Sequence, residues 1–335
     1  MRIATYNVEW FNTLFDDTGQ LRNNTDWSGR YNVTCIQQTD ALGIVFNALD
    51  SDAIMIIEAP DTSRQRATEL ALETFAQTMG LRARKALIGF PNNTQQEIAL
   101  LYDPDALTVT HDPWGDGDAS DAPRFDGAFR IDLDIDATLD KVTFSKPPLE
   151  LAVTTANGTK LRMLGVHAKS KAPHGARTEK DAIRLSIANR RKQLAQCIWI
   201  RRRIDQIVAD HPLIVLGDLN DGPGLDGFEK LFGRSGVEIV LGAGESALFD
   251  PNAHMALSQR ISAHPTTARF YIEPEKRYLE ALLDYIMVSP DLRTKSQRWR
   301  IWHPFDDQVC YDTPELQQAL LMASDHFPLT LDIDI

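Results

Sequence analysis

The stretch Leu213-Ile214-Val215-Leu216-Gly217-Asp218-Leu219-Asn220-Asp221 constrains the fold most. Four apolar, partly β-branched residues predict a strand buried on both faces. The run breaks at a glycine and then presents Asp218, Asn220 and Asp221 on a turn. A carboxylate and a carboxamide two residues apart at a strand end can point the same way, into one pocket. There Asp218 could hold a water or a metal ion while the Asn220 amide donates to an anionic oxygen. A capped turn uses the same residue types, and this stretch alone does not separate the two readings.

Other strand ends carry similar cargo. Asn7 closes an opening strand that begins at Arg2, with Glu9 just beyond it, and Glu58 ends a buried strand from Asp52. His167 follows the strand Lys160–Val166 and precedes Lys169 and Lys171, while Ser324-Asp325-His326 leads into the closing strand. Asp284 sits inside the apolar strand Leu282–Val288. A buried carboxylate is costly unless paired or metal-bound, so a structural hydrogen bond to a histidine would satisfy Asp284 and is compatible with catalysis. Taken singly, Glu58 reads more readily as a helix N-terminal charge, and His167 or His326 as ordinary polar contacts. The set points further. Oxygen-only carboxylates and amides suit Mg²⁺ or Mn²⁺ and not zinc. Histidines beside them suit proton transfer and stabilisation of a charged phosphoryl transition state.

The 335 residues leave room for two average domains or one large one. No linker, low-complexity tract or charge block divides them, so a single domain over 1–335 is expected. Helical spacing runs over Thr34–Leu49, from Asp61 or Thr62 to Met79, over Thr178–Asp210 and over Thr313–Met322. Asn157-Gly158 predicts a hairpin between Leu149–Thr155 and Lys160–Val166. Packed sheets with outer helices fit this order better than a doubly wound sheet. Two Gly- and Pro-rich excursions, His111–Asp126 and Gly242–Tyr278, are expected to wall the site and set its specificity.

A net charge of −12 argues against a broadly basic, processive nucleic-acid binder and suits a site that collects divalent cations. Arg190-Arg191-Lys192 and Arg201-Arg202-Arg203 read as an exposed helix face, and the tryptophans as core. Cys35, Cys197 and Cys310 are too scattered for a disulfide framework or a zinc site. No stretch reaches the apolar length of a membrane span. With no leader-like apolar segment, the expected location is the cytoplasm, or outside the cell if a signal peptide has been removed. No protein partner is evident.

Thr5-Tyr6-Asn7-Val8-Glu9, Gly217-Asp218-Leu219-Asn220, Leu283-Asp284-Tyr285-Ile286 and Ser324-Asp325-His326-Phe327-Pro328-Leu329 occur in this order at strand edges. In that arrangement the chain resembles the endonuclease/exonuclease/phosphatase superfamily. That group contains deoxyribonuclease I-like nucleases, abasic-site endonucleases, inositol polyphosphate 5-phosphatases and neutral sphingomyelinases. The resemblance implies an α/β (α+β) four-layer sandwich, in which two mixed β-sheets pack face to face with helices on the outside. By position it implies Glu58 as the principal metal ligand, with Asn7 and Asp325 nearby. Asp218 would orient or deprotonate the attacking water, helped by Asn220. His326 would pair with Asp284, and His167 would donate to a phosphate oxygen. Either Asp218 or the His326–Asp284 pair could serve as general base.

Arg124, in Pro123-Arg124-Phe125, resembles the family's phosphate-contacting arginine, and Gln96 or Glu97 would fill the place of an acid that supports the histidine. His167-Ala168-Lys169-Ser170-Lys171 is similar to a histidine–lysine–serine–lysine motif of bacterial members, whose two lysines could face a phosphate. The implied activity is Mg²⁺- or Mn²⁺-dependent hydrolysis of a phosphodiester by a nuclease or general phosphodiesterase, with nucleic acid as one candidate substrate. A phosphoinositide- or sphingomyelin-type phosphatase or phosphodiesterase is the alternative on the same fold. A non-catalytic phosphate-binding module is the alternative of another class.

Overall fold

The computed structural model describes the chain except residues 93, 95, 116–120, 133–137, 174, 223–231, 259–263 and 273–275. Its strands are β1 (Arg2–Asn7), β2 (Ala53–Pro60), β3 (Lys85–Ile88), β4 (Gln96–Tyr102), β5 (Leu107–His111), β6 (Phe129–Ile131), β7 (Asp140–Val142) and β8 (Leu149–Thr155). They continue with β9 (Lys160–His167), β10 (Leu213–Asp218), β11 (Ala268–Ile272), β12 (Arg277–Ala281), β13 (Asp284–Val288), β14 (Ser296–Ile301) and β15 (Leu329–Ile333). The helices are α1 (Cys35–Leu49), α2 (Thr68–Met79), α3 (Glu179–Val208), α4 (Gly236–Leu241), α5 (Pro251–Leu257), α6 (Pro290–Arg293), α7 (Gln308–Asp312) and α8 (Pro314–Ala323).

Two mixed sheets result, one in the order β14-β15-β1-β2-β4-β3 and the other β13-β10-β9-β8-β5. The apolar runs explain the layering. On β2, Met55 and Ile57 face the second sheet, whereas Ile54 and Ile56 face α1, α2 and α8. On β10, Ile214 and Leu216 face the first sheet, and Leu213 and Val215 face α3 and α4. Strands buried on both faces need no polar alternation, so the four-layer order follows from the sequence pattern.

Each sheet contains one parallel pair, β1–β2 and β9–β10, bridged by a helical crossover (α1 and α3). Parallel strands end on the same edge, so Asn7 lies beside Glu58 and His167 lies opposite Asp218. Gly217 allows the close approach of β10 to β9: it sits at φ 131°, and a β-carbon there would meet the Val166 carbonyl oxygen.

Several boundaries differ from expectation. The α2 helix starts at Thr68 and not near Asp61, because Arg66 pins the preceding segment, pairing with Asp61 and reaching the carbonyls of Asn12 and Phe15. The excursion from Gly242 to Tyr278 contains α5 and the β11–β12 hairpin, although 259–263 and 273–275 lie outside the described residues. Residues 116–120 of the excursion from His111 to Asp126 also lie outside them. Strand β14 was not expected at all, since Ser296-Gln297-Arg298-Trp299-Arg300 reads as polar.

Candidate active site

Backbone irregularities aim the acids. A bulge between Ile57 and Ala59 leaves Glu58 unpaired at φ 63°, and Asn220 turns back at φ 50°. Bulges re-aim side chains at sheet edges, and here both distortions direct polar groups into an open cleft of about 620 Å³. Asn7, Glu9, Trp10, Glu58, Gln96, Lys146, His167, Lys169, Gln196, Asp218, Asn220, Asp325 and His326 are among its lining residues.

Asp218 and Asp284 face each other across the antiparallel β10–β13 pair, an arrangement that destabilises unless compensated. His326 compensates it: its Nδ1 donates to Asp284 Oδ2 at 2.7 Å. Burial opposes the His326 charge, but the carboxylates of Asp284, Asp325 and Asp218 outweigh it and hold the imidazole protonated well above its usual range. Asp218 accepts from Asn220 N (2.6 Å), Asn220 Nδ2 (3.1 Å) and Asn7 Nδ2 (3.0 Å). Burial and Asp284 nevertheless push its carboxyl up to about 7.

Ser324 and Gln38 lock the chain's two ends together at this edge. Ser324 Oγ donates to Asn7 O and receives the amides of Glu9 and His326, while Gln38 Nε2 donates to Glu9 O and Ala323 O.

On the opposite wall, Gln96 Nε2 donates to Glu58 Oε2 at 2.5 Å, and Lys146 Nζ donates to Gln96 Oε1 and to His167 Nδ1 (3.4 Å). That last bond leaves Nε2 of a neutral His167 to carry the proton, 4.0 Å from Glu58 Oε1 and 3.9 Å from Asp218 Oδ2. Burial, Lys146 and His326 hold His167 well below its usual range, so it is the neutral partner of the two histidines. Burial and Asp325 push Glu9 up to about 7 despite its ion pair with Arg30. Burial also raises Glu58.

The donor set fits a hard cation. Asn7 Oδ1 is buried without a hydrogen-bond partner. Negative charge crowds here: Asp325 and Glu58 both raise the Glu9 carboxyl, and Asp325 raises that of Glu58. Carboxylate and amide oxygens of this kind suit Mg²⁺ or Mn²⁺. Asp218, Asp284 and His326 also offer atoms within 4.8 Å of one another, but an imidazolium bound to Asp284 has no lone pair free to ligate. Glu58, Asn7 and Asp325 could hold such an ion without that conflict.

The structure brings Asn7, Glu58, His167, Lys169, Asp218, Asn220, Asp325 and His326 to one cleft, with Asp284 directly behind His326. Two expected phosphate contacts fall elsewhere. Arg124 is exposed, chelated by Asp126 through two bonds (2.6 and 2.8 Å) and laid over Phe90, and it does not line the cleft. Lys171 turns inward, where its Nζ reaches Asp221 Oδ1 at 2.6 Å beside Arg190. Strand alternation resolves the pair on β4: Gln96 faces the cleft, while Glu97 binds Asn92 on the other side.

Glu9, read from the sequence as the acid just beyond the first strand, completes the cleft with Lys146, Trp10 and Gln196, which were not singled out by sequence. Lys146 in Ser145-Lys146-Pro147-Pro148 had a readable signal, a lone base before prolines and a strand. The described parts of the two long excursions do not line the cleft; segments around Trp10, Gln96 and Lys169 do so instead.

These features define a two-sheet α/β sandwich with an acid-and-histidine cleft at the carboxyl edge of its parallel strands. A profile of the Endonuclease/Exonuclease/phosphatase family matches residues 4–326, and the chain belongs to that family. Its members are hydrolytic phosphoesterases that depend on divalent metal. Among solved structures, truncated TDP2 of Caenorhabditis elegans is 14% identical with a TM-score of 0.51, the match covering 98% of this chain and 96% of that one. The mannosyl-6-phosphatase of Bacteroides thetaiotaomicron VPI-5482 is 15% identical with a TM-score of 0.52, covering 100% of both chains. TDP2 of D. rerio, complexed with a single-strand DNA product, is 12% identical with a TM-score of 0.51, covering 100% and 99%. Identities this low establish the shared fold alone. Curated proteins yielded no sequence match. No helix of the described residues is long and apolar enough to cross a membrane.

Proposed function

We propose that the chain acts as one catalytic domain that hydrolyses phosphodiester bonds, as a nuclease or general phosphodiesterase dependent on Mg²⁺ or Mn²⁺. The observation that carries this reading is the pairing of a charged His326 with a neutral His167 across a cleft that also holds Asp218. Such a pair offers two donors to a phosphate while an acid stands ready for water. Glu58, Asn7 and Asp325 would hold the cation, with Glu9 beside them. When bound, it supplies charge neutralisation at the phosphoryl oxygens.

Asp218 accepts a proton from water and Asn220 orients that water. The water oxygen forms its bond to phosphorus as the opposite P–O bond breaks, and the proton goes to the Asp218 carboxylate. His326 is unsuited to accept it, because Asp284 holds the ring protonated. Its Nε2–H donates to a non-bridging oxygen as charge builds there, and His167 Nε2–H donates from the other side. Lys146 takes the phosphate-facing place first expected for Arg124. Proteins of this fold act on different phosphoesters, so the nuclease preference rests on the resemblance of the sequence motifs.

Hydrolysis of bis(4-nitrophenyl) phosphate with Mg²⁺ or Mn²⁺ tests the proposal. Activity should vanish with chelator and return with metal. Turnover that survives chelation, or that is unchanged in Glu58→Ala and His326→Ala, overturns it.

A further inference from the structure

One set of charges in the cleft is left over by this chemistry. In a chain of net charge −12, most buried or half-buried bases hold an acid: Arg203 on Glu150, Arg162 on Asp112, Arg190 and Lys171 on Asp221, Arg66 on Asp61. Lys169 and Lys192 depart from that pattern. Lys169 lines the cleft, and its backbone N–H donates to Gln196 Oε1 at 2.8 Å, which ties this loop to α3. Gln196 lines the cleft too. Lys192 stands one helical turn before Gln196 and so projects from the same face of α3. Among the described residues, neither ammonium has a hydrogen-bond or ion-pair partner.

These charges are close enough to act on one another. Burial lowers the Lys169 ammonium's proton affinity and Lys192 lowers it further, while Lys169 contributes to lowering Lys146. Positive charge therefore runs from Lys146, against His167, through Lys169 to Lys192 on α3. Lys146 has Glu58 and Asp218 as counter-charges; Lys169 and Lys192, partly withdrawn from water with no acid among the described residues paired to either, disfavour the free protein and suit an arriving anion. Lysines are compact point charges of the kind that bind phosphate.

We propose that Lys169 and Lys192 form a second anion subsite beside the scissile phosphate, taking a neighbouring phosphoryl group of the same substrate. The inference rests on the hydrolase reading only for which phosphate is cut. The ligand class is a phosphate ester that carries a second, neighbouring phosphate, as in an oligonucleotide or a polyphosphorylated small molecule.

The test uses the full chain with turnover silenced by Asp218→Asn. The probes are the thymidine dinucleotide TpT and its 5′- and 3′-phosphorylated forms, pTpT and TpTp, with an inositol bisphosphate alongside. Titration calorimetry should show one phosphorylated dinucleotide binding at least about tenfold tighter than TpT, with the gain shrinking as salt rises. Lys192→Glu should abolish that gain, and Lys192→Gln, which adds no new repulsion, should remove most of it. An inositol bisphosphate that shows the same Lys192-dependent gain assigns the subsite to small polyphosphates, and its failure beside a positive dinucleotide assigns it to nucleic acid.

In the active enzyme, Lys192→Gln should raise KM for the favoured dinucleotide about tenfold relative to that for bis(4-nitrophenyl) phosphate, with kcat held. The proposal is overturned if no added phosphate tightens binding, or if the gain survives both variants. A binding gain without hydrolysis of any probe would sink the hydrolase reading and spare the subsite. Hydrolysis of all probes with no gain would do the reverse.

Discussion

Two buried ionic groups in this molecule resemble each other by titration and differ in everything else. At the cleft, Asp218 is pushed up to about 7 by burial and by Asp284. Behind β8 and β9, Glu150 is pushed up to about 7 by burial, against the attraction of Arg203. The second group is closed. Arg203 sits 3.2 Å from Glu150, donates to the carbonyls of Ala122 and Pro123 and lies against Phe125, while Arg162 binds Asp112 and covers Trp114. The first group opens on a cleft, whereas both groups hold a buried oxygen without a hydrogen-bond partner, Asn7 Oδ1 in the one and Glu150 Oε1 in the other. A perturbed carboxyl or an unmet acceptor is thus a sign of burial; access is what distinguishes a site.

The largest effect should come from mutating the open group. His326→Ala and Glu58→Ala should each lower kcat by about a thousandfold or more, while thermal melting shows the fold retained. Near-normal turnover in either would erase the distinction between the two groups. The closed group should invert this outcome. Arg203→Met leaves Glu150 buried without its partner, which should cost about 3–5 kcal/mol in urea unfolding, with kcat per folded molecule kept. A catalytic defect in that variant at full folding would make the network part of the site.

Metal should also separate the two. Mg²⁺ at about a hundredfold its Kd should stabilise the protein by about 2.7 kcal/mol, seen as a rise in melting temperature. The rise should disappear in Glu58→Ala and persist in Arg203→Met. Equal rises in both variants would mean that the ion binds elsewhere.

The sequence was legible where local chemistry repeats with strand geometry. The runs ending at Asn7, Glu58, His167 and Asp218 already placed acids and amides at strand ends, and parallel pairing then set those ends on one edge. Asp284 could be read as paired because an acid inside an apolar strand has few other solutions. The rest depended on tertiary partners that no local pattern encodes. Arg190 and Arg203 read as surface charge, yet both are buried because Asp221 and Glu150 arrive from distant strands. Lys171 stands two residues from Lys169, as a phosphate clamp would need, but Asp221 draws it inward. Arg124 looked right for phosphate until Asp126, two residues on, claimed its guanidinium. Trp10 read as core, whereas it lies 41% exposed at the cleft.

The smallest effect is the sharpest probe of the comparison. Glu150 has its folded pKa raised from 4.5 to about 7, so between those values the native state binds more protons than the unfolded state. Stability should therefore fall as pH rises from about 4.5 to 7 and level off above. Asp218 carries a shift of the same sign, as do Glu9, Glu97 and Asp250, so the wild-type curve alone mixes several groups. Glu150→Gln removes one contribution and Asp218→Asn another, and urea unfolding of each at pH 5 and pH 7.5 separates them. Adding Mg²⁺ should then diminish the slope that remains in Glu150→Gln, because a cation beside Asp218 favours its charged form. The difference in slope between wild type and Glu150→Gln should be the same with and without Mg²⁺, since Glu150 is buried against Arg203. A difference that changes with Mg²⁺ would show the two groups to be coupled, and the contrast between an open and a closed cluster would fail.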